Sequence, residues 1–233
     1  MNFPRYAVYF APPTEGPLWK FGSCWLGRDA ADGSMAVQPA IPGLSSARLA
    51  EITAEPRRYG FHATLKPPMA LRPGVGVSAL IDALEAFSRK QSSFAIPGLS
   101  VAAIGRFLAL IPITTPAALL SLAANCIKAF DPFRAFPTAA ELAPRRGGLT
   151  DRQEALLQQW GYPYVMEEYR FHMTLTGPME APERDFVRTG LEERWGPVLA
   201  APVVVDALTL FIQPTAPEPF AIVGRYPFLG PTG

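Results

Sequence analysis

The chain has 233 residues, of which 49% are hydrophobic, and its formal net charge is +1. This length and composition are typical of a globular protein with a substantial core. The near-zero charge argues against a general attraction to nucleic acid, so an extended nucleic acid is not an expected partner. The two cysteines, Cys24 and Cys126, match no metal-binding spacing.

No segment of the sequence suggests a membrane partner. Residues 1–5 lack the basic region and the apolar run of a signal peptide. The most apolar segment, residues 101–124, is interrupted by a glycine, an arginine and two prolines, which is incompatible with a membrane span. We therefore predict a cytoplasmic protein.

The first half of the chain predicts short elements in which strands outnumber helices. Apolar alternation indicates strands, and helical spacing with serine caps indicates helices. We expect strands at residues 6–11, 59–66, 94–96 and 99–111. We expect helices at residues 45–53 and 77–90, the second of which is amphipathic.

The second half predicts a similar series after two helices. The first of these is capped by Thr114 or Thr115, and the second opens with a capping box at Thr150. Between them, residues 131–148 carry Arg134, Arg145 and Arg146 and form either a surface loop or a loop that faces a substrate. We expect helices at residues 117–130, at residues 150–160 and from residue 182 onward. We expect strands at residues 169–176, 203–212 and 220–226.

One segment of the sequence occurs twice. Residues 59–69 read YGFHATLKPPM and residues 169–179 read YRFHMTLTGPM, so seven of eleven positions are identical without a gap. The chain contains only two histidines, His62 and His172, and they occupy the same position in the two copies. A residue type that is used nowhere else, placed twice in one local frame, predicts a shared site.

Each copy alternates like a strand, so residues two apart share a face. The polar face of the first copy carries His62, Thr64 and Lys66. The polar face of the second carries the group Arg170, His172, Thr174 and Thr176. Imidazole is an acid or base near neutral pH, and a threonine hydroxyl donates to an anionic oxygen without adding charge. Two such pairs, brought together, would flank one phosphate.

The duplication extends beyond the motif, because a helix and strands follow each copy. We predict an α+β fold with one bilobal domain. The two pseudo-symmetric lobes, residues 30–112 and 162–233, would each form an antiparallel sheet with outer helices around a central cleft. Residues 1–12 would join one lobe sheet, and residues 113–161 would form a helical connection.

These residues resemble a known family. Paired H-x-T runs on strands are similar to those of the two-histidine (2H) phosphoesterase superfamily, which includes bacterial RNA 2′,3′-cyclic phosphodiesterases and ligase-like proteins. The wider context resembles the branch found with bacterial phosphonate-utilisation genes; it comprises PLW at 17–19, WLGRD at 25–29, GRFLAL at 105–110 and WGYPYV at 160–165. The resemblance implies a V-shaped cleft and gives catalytic roles to His62 with Thr64 and to His172 with Thr174.

The chemistry that these pairs predict is opening of a cyclic phosphodiester without a metal or other cofactor. One histidine would take a proton from water and the other would protonate the leaving oxygen, and the sequence leaves the two roles open. The candidates for substrate binding are Arg170, Lys66, Arg58 and Thr176, and the three cations could equally be rim charges. A zinc site is not expected, because zinc usually takes four ligands.

Three functions therefore compete. The first is a phosphoesterase acting on a cyclic diester of a small or nucleotide-like substrate. The second is a binding protein for a phosphorylated or phosphonate metabolite, and the third is a ligase-like enzyme of RNA ends, which would need a basic track beyond the cleft. The absence of a glycine-rich loop followed by lysine argues against an ATP-dependent enzyme. The sequence leaves the oligomeric state open.

Overall fold

The computed structural model describes residues 3–138, 142–143 and 146–230. Arg145 lies outside these residues. The helices are α1 Pro17–Leu26, α2 Ser46–Ile52, α3 Ala54–Tyr59, α4 Val77–Ser88, α5 Ala117–Phe130, α6 Asp151–Trp160 and α7 Ala181–Ala200. The strands are β1 Arg5–Phe10, β2 Ala63–Met69, β3 Phe94–Ile96, β4 Leu99–Ile104, β5 Phe107–Pro112, β6 Met173–Thr174, β7 Val203–Val205, β8 Ala207–Gln213 and β9 Ala221–Pro227.

Capping residues define several helix boundaries. Thr150 and Gln153 form the predicted capping box at the start of α6, which ends at Gly161 in the left-handed conformation. The Ser45 hydroxyl accepts from the first turn of α2, also as predicted. The predicted cap of α5 is wrong, because this helix follows Pro116 and has no side-chain cap. The rigid φ of proline preorganises such a start without a hydroxyl.

The described strands form one seven-stranded antiparallel sheet and a small second sheet. The order in the large sheet is β4-β5-β6-β2-β1-β8-β9, and β3 pairs with β7 in the small one. The predicted α+β class is confirmed. The two histidine-containing segments are neighbours at the centre of the large sheet, where Ala63 of β2 pairs with Met173 of β6. The two lobe sheets that we expected are therefore joined there into one.

The strand pairing departs from the predicted lobes in one respect. The β4–β5 hairpin precedes β6 by more than sixty residues but pairs with it, whereas β8 and β9 extend the side of β2 through β1. Helix α4 packs on β8 and β9, and α7 packs on β4 and β5. Each half of the sheet thus contains a hairpin from the other half of the sequence. A single bilobal domain remains our proposal.

An irregularity in β2 reverses the direction of its later side chains. Tyr9 of β1 pairs with Thr64, but Val8 pairs with Lys66, so Leu65 is an extra residue in β2. Such a bulge shifts the alternation by one residue. Leu65 and Lys66 are accordingly both buried. The strand also continues through Pro67 and Pro68 instead of ending there as predicted.

Helix α1 packs closely behind the first histidine. An added Cβ at Gly22 would lie 2.1 Å from the ring of Phe61, so the glycine allows the helix to approach the chain at this point. On the same helix, the buried indole of Trp25 donates from Nε1 to the carbonyl of Leu175 at 2.9 Å. One helix thereby supports the ends of both histidine-containing segments.

Candidate active site

The register between β2 and β6 places each histidine opposite the other strand's threonine. Ala63 and Met173 are direct partners, and extension of the antiparallel register by one residue on each side sets His62 against Thr174 and Thr64 against His172. Side chains in direct opposition are about 5 Å apart at Cβ, and diagonal neighbours about 7–8 Å. The two histidines are such a diagonal pair. The register therefore places both H-x-T motifs on one face of the sheet.

Both imidazoles are held in the same way by the main chain. The Nδ1 atom of His62 lies 2.9 Å from the carbonyl oxygen of Gly60, and that of His172 lies 2.8 Å from the carbonyl oxygen of Arg170. A carbonyl only accepts, so each Nδ1 carries the proton and each Nε2 is the atom available for proton transfer. Thr64 Oγ1 lies 3.3 Å from His62 Nε2.

Gly60 has a conformation that serves this arrangement. Its φ is +82°, and an added Cβ would lie 2.6 Å from the Cβ of Ala30. Both the dihedral angle and the close approach favour glycine. The turn that Gly60 allows brings its carbonyl under the imidazole of His62, which immediately precedes β2.

The two histidines differ in their surroundings. The ring of His62 is stacked on Tyr9 of β1, with ring centroids 3.7 Å apart. Burial lowers the pKa of His62 to about 4, the carbonyl of Gly60 opposes this shift, and the nearby His172 adds to it. His172 has Phe107 as its ring neighbour, at a centroid distance of 6.2 Å. His62 is therefore neutral at pH 7.

Two adjoining cavities meet at the histidines. One, of about 370 Å³, is lined by His62, Thr64, Thr174 and Thr176, and we call it the His62 cavity. The other, of about 390 Å³, is lined by His172 and Arg170, and we call it the His172 cavity. Both volumes fall within the range of small-molecule sites. The residues that line both cavities are Thr64, Pro67, Phe107 and Tyr162.

Two of the predicted substrate-binding residues lie at these cavities. Arg170 is exposed and lines the His172 cavity. Thr176 lines the His62 cavity but is only 1% exposed, and its hydroxyl accepts from the backbone nitrogen of Leu108 at 2.9 Å. Thr176 therefore anchors β5 as well as lining the cavity, and its hydroxyl proton remains available.

The other two predicted residues are elsewhere, and these predictions are corrected. Because of the bulge in β2, Lys66 points away from the histidines and its Nζ pairs with Asp131 at 2.7 Å. Arg58 lies over the ring of Tyr59, with its Cζ 5.2 Å from the centroid, and it lines neither histidine cavity. It precedes the turn at Gly60, so strand alternation does not apply to it.

Sequence reasoning missed several residues of the site. Tyr9 and Arg5 of β1 line the His62 cavity, as does Tyr59 at the end of α3. The shared face of Arg5 and Tyr9 was visible as alternation, but their approach to His62 depends on the pairing of β1 with β2, more than fifty residues away. Tyr162 belongs to a conspicuous aromatic segment whose place next to both cavities the pattern did not reveal.

The described residues offer neither a metal cluster nor a membrane-spanning helix. Within the described ranges, no group of three or more His, Cys, Asp or Glu side chains is placed to hold a metal ion. In the same ranges, no helix combines the length and apolar character required to cross a membrane.

Comparison with protein families decides the membership of the chain. Residues 64–221 match the family described as "Protein of unknown function (DUF1045)". The chain belongs to the DUF1045 family. This match covers β6 and all of β2 except Ala63, and His62 also lies before the matched range.

Two curated relatives carry the same name, "Ribose 1,5-bisphosphate phosphokinase PhnN". The protein from Janthinobacterium sp. (strain Marseille) is 41% identical over 231 residues, which are 97% of this chain and 51% of that protein. The protein from Laribacter hongkongensis (strain HLHK9) is 36% identical over 218 residues, with coverages of 94% and 50%. The DUF1045 chain thus spans about half the length of these relatives.

Solved structures with related folds are more distant. The protein TT0787 of Thermus thermophilus is 13% identical, with 97% of this chain and 98% of that chain covered and a TM-score of 0.47. E. coli LigT complexed with 3′-AMP is also 13% identical, with the same coverages and a TM-score of 0.42. At these TM-scores the two structures carry no conclusion about the site of the DUF1045 chain.

Proposed function

We propose that this DUF1045 protein is a metal-independent phosphoesterase that hydrolyses a cyclic phosphodiester of a small substrate. The observation that carries the proposal is the register of β2 and β6, which opposes His62 to Thr174 and Thr64 to His172. Two imidazoles with available Nε2 atoms, placed diagonally across one ladder, can serve opposite sides of a single phosphorus.

In this proposal the different environments assign the histidine roles. His62 is neutral at pH 7 because burial lowers its pKa, so its Nε2 can take a proton from water. The water oxygen forms a bond to phosphorus as the bond between phosphorus and the leaving oxygen breaks. His172 takes the second role and donates a proton from its Nε2 to that oxygen, while its Nδ1–H donates to the carbonyl of Arg170. Each role typically contributes 10² to 10⁴-fold to the rate.

The threonines would stabilise the charge that develops on the phosphate. Thr64 and Thr174 flank the position between the imidazoles, and both line the His62 cavity. The Thr174 hydroxyl can donate to one non-bridging oxygen, and the Thr64 hydroxyl can donate to the other once water replaces it at His62 Nε2. Arg170, which lines the His172 cavity, would supply positive charge from the other side.

The names of the relatives support a sugar phosphate as the substrate class. Those proteins are named for a kinase of ribose 1,5-bisphosphate, and the chain covers only half of each. The chain lacks a glycine-rich loop with lysine, so we assign the kinase name to the other half of those proteins. A ribosyl cyclic phosphate is therefore the first substrate to test, in keeping with the resemblance to the branch found with phosphonate-utilisation genes.

The test is an assay of the purified protein with ribosyl cyclic phosphates and with 2′,3′-cyclic nucleotides, with and without a chelator. We expect hydrolysis that survives the chelator and falls at least 10³-fold in both His62→Ala and His172→Ala. Circular dichroism and thermal melting check that both variants fold. Full activity in either variant would contradict the proposal. Binding without turnover would favour a metabolite-binding protein, and activity confined to RNA ends would favour a ligase-like enzyme.

A further inference from the structure

A small third cavity opens beside the His62 cavity. It has a volume of about 110 Å³ and shares Arg5, Pro67, Pro68 and Tyr162 with its larger neighbour. This volume is sufficient for one tetrahedral anion. We call it the arginine cavity, after Arg5 and Arg134, which both line it.

The charges around the arginine cavity are unbalanced. Arg5, Lys66 and Arg134 line it, and none of its described lining residues is acidic. Asp131 is the carboxylate partner of both Lys66 and Arg134, with Oδ1 2.7 Å from Lys66 Nζ and 2.7 Å from Arg134 Nε. One carboxylate thus serves two cations, and Arg5 adds a third positive charge. The formal surplus of these four groups is two positive charges.

Arg5 is held by neutral groups. Its Nε donates to Gln213 Oε1 at 2.8 Å, and its Nη2 donates to the same oxygen. Gln213 is itself fixed, since its Nε2 donates to the carbonyl of Glu218. The guanidinium lies over the ring of Phe220, with Cζ 5.5 Å from the centroid. Within the described ranges no carboxylate pairs with it, so its charge is available to a ligand.

Arg134 has a buried donor with no partner. The side chain is 7% exposed, and its Nη1 has no hydrogen-bond partner among the described residues. This nitrogen lies against Gly161, where an added Cβ would stand 3.0 Å from it, and Gly161 also lines the arginine cavity. A buried donor without an acceptor is costly, and an anion in the cavity would satisfy it.

A row of rings connects this cavity with the reaction site. The imidazole of His62 stacks on the ring of Tyr9. The ring centroids of Tyr9 and Phe220 are 6.4 Å apart, and the guanidinium of Arg5 lies over the ring of Phe220. Arg5 itself lines both the arginine cavity and the His62 cavity. One substrate can therefore extend from His62 to Arg5.

We propose that Arg5 and Arg134 form a second anion subsite, which binds a phosphate monoester carried by the same substrate whose cyclic diester lies between the histidines. A phosphate monoester near pH 7 carries close to two negative charges, which matches the surplus, and its oxygens fit the planar donor set of arginine. The inference deepens the proposed function and rests on it for the second phosphate. The ligand class is a sugar cyclic phosphate with an additional terminal phosphate.

The test compares two esters that differ only in the terminal group. They are ribose 1,2-cyclic phosphate with and without a 5-phosphate, assayed by kcat/KM in the wild type, Arg5→Gln, Arg134→Gln and a control. We expect the wild type to prefer the doubly phosphorylated ester at least tenfold. Arg5→Gln should lower that ratio at least tenfold. The control is Arg89→Gln, an exposed arginine of the α4 end that should leave the ratio unchanged.

Each outcome decides the inference. A wild type that hydrolyses both esters equally well would refute the subsite while the proposed function stands, and so would an unchanged ratio in folded Arg5→Gln. If neither ester is hydrolysed, the proposed function fails, and calorimetric binding of ribose 5-phosphate decides the subsite alone. Binding at least tenfold weaker in Arg5→Gln than in the wild type supports it, and equal binding overturns it. Arg134→Gln is interpreted only if thermal melting shows a folded protein; otherwise Arg5→Gln decides.

Discussion

The phenol ring of Tyr9 lies almost parallel to the imidazole of His62, with an interplanar angle of 21° and ring centroids 3.7 Å apart. Tyr9 is 1% exposed, so this contact fixes one face of the imidazole inside the protein. Burial raises the pKa of Tyr9 well above its usual value, and its hydroxyl stays protonated. Tyr9 is thus a positioning residue for His62.

Replacement of Tyr9 separates the ring from the hydroxyl. Tyr9→Leu should lower kcat/KM about 2- to 10-fold, because an aromatic pair is worth about 0.5–1.5 kcal/mol. Tyr9→Phe keeps the stack and should stay close to the wild type. Tyr9→Leu should also move the acidic limb of the pH profile upward, since a less buried imidazole has a higher pKa. An identical pH profile in Tyr9→Leu and the wild type would show that the stack does not control His62.

The lowered pKa of His62 predicts how stability depends on pH. The unfolded chain binds a proton at this residue near pH 6.5 and the folded protein only near pH 4. Between pH 6.5 and pH 4 the unfolded state binds more protons than the folded state. The free energy of unfolding therefore decreases as the pH falls through this interval. The full loss is on the order of 3 kcal/mol. Urea denaturation at pH 7, 5.5 and 4.5 measures it.

The control for this prediction is His62→Gln, which has no titrating group at the site. The free energy of unfolding of the wild type should fall more steeply with acidification than that of His62→Gln. Parallel curves for the two proteins would mean that His62 is not buried as described.

Asp131 should be far more important for stability than a surface carboxylate. Although burial raises the pKa of Asp131, hydrogen bonds from Arg134 and Lys66 lower it overall. Asp131→Asn leaves the 1% exposed Lys66 without its charge partner and should cost about 2–4 kcal/mol. Glu51→Gln, which removes an exposed partner of Arg48, should cost under about 1 kcal/mol. Chemical denaturation at pH 7 compares them, and equal losses would argue against a buried pair.

Alanine substitutions at two helical glycines test how tightly α1 packs. Gly22→Ala in α1 places a Cβ 2.1 Å from the ring of Phe61, next to His62, and should destabilise the protein by about 1–3 kcal/mol. Gly190→Ala in α7 places a Cβ 3.4 Å from a methyl group of Ile41, an ordinary van der Waals contact, and should be neutral or stabilise by up to about 1 kcal/mol. Thermal melting distinguishes them. A melting temperature that is unchanged by Gly22→Ala would show that α1 is free to shift.

Much of the local structure could be predicted from the sequence because its signals are local. The capping box at Thr150 and the amphipathic α4 are read within a dozen residues, and both are present. The pair His62 and His172 was predicted because the repeat compares one short segment with another. Their approach across β2 and β6 follows from the symmetry that the repeat implies.

Long-range pairing and backbone irregularity could not be read in this way. Alternation assigned Lys66 to the histidine face, but the extra residue at Leu65 reverses the count, and no residue type marks that bulge. Arg5 and Tyr9 join the site through the pairing of β1 with β2 and β8, which a periodic pattern cannot specify. The site residues that could not be predicted from the sequence are therefore those that reach the site from strands distant in the chain.

The crossed hairpins also constrain how this protein can be divided. A fragment that ends after β5 would keep β2 but lose β8 and β9, which extend the sheet beyond β1, and its own β4–β5 hairpin would lack β6. Each half of the sequence thus supplies a hairpin that completes the sheet of the other half. We therefore expect that cutting the chain between β5 and β6 leaves two fragments that must associate before either forms its part of the sheet.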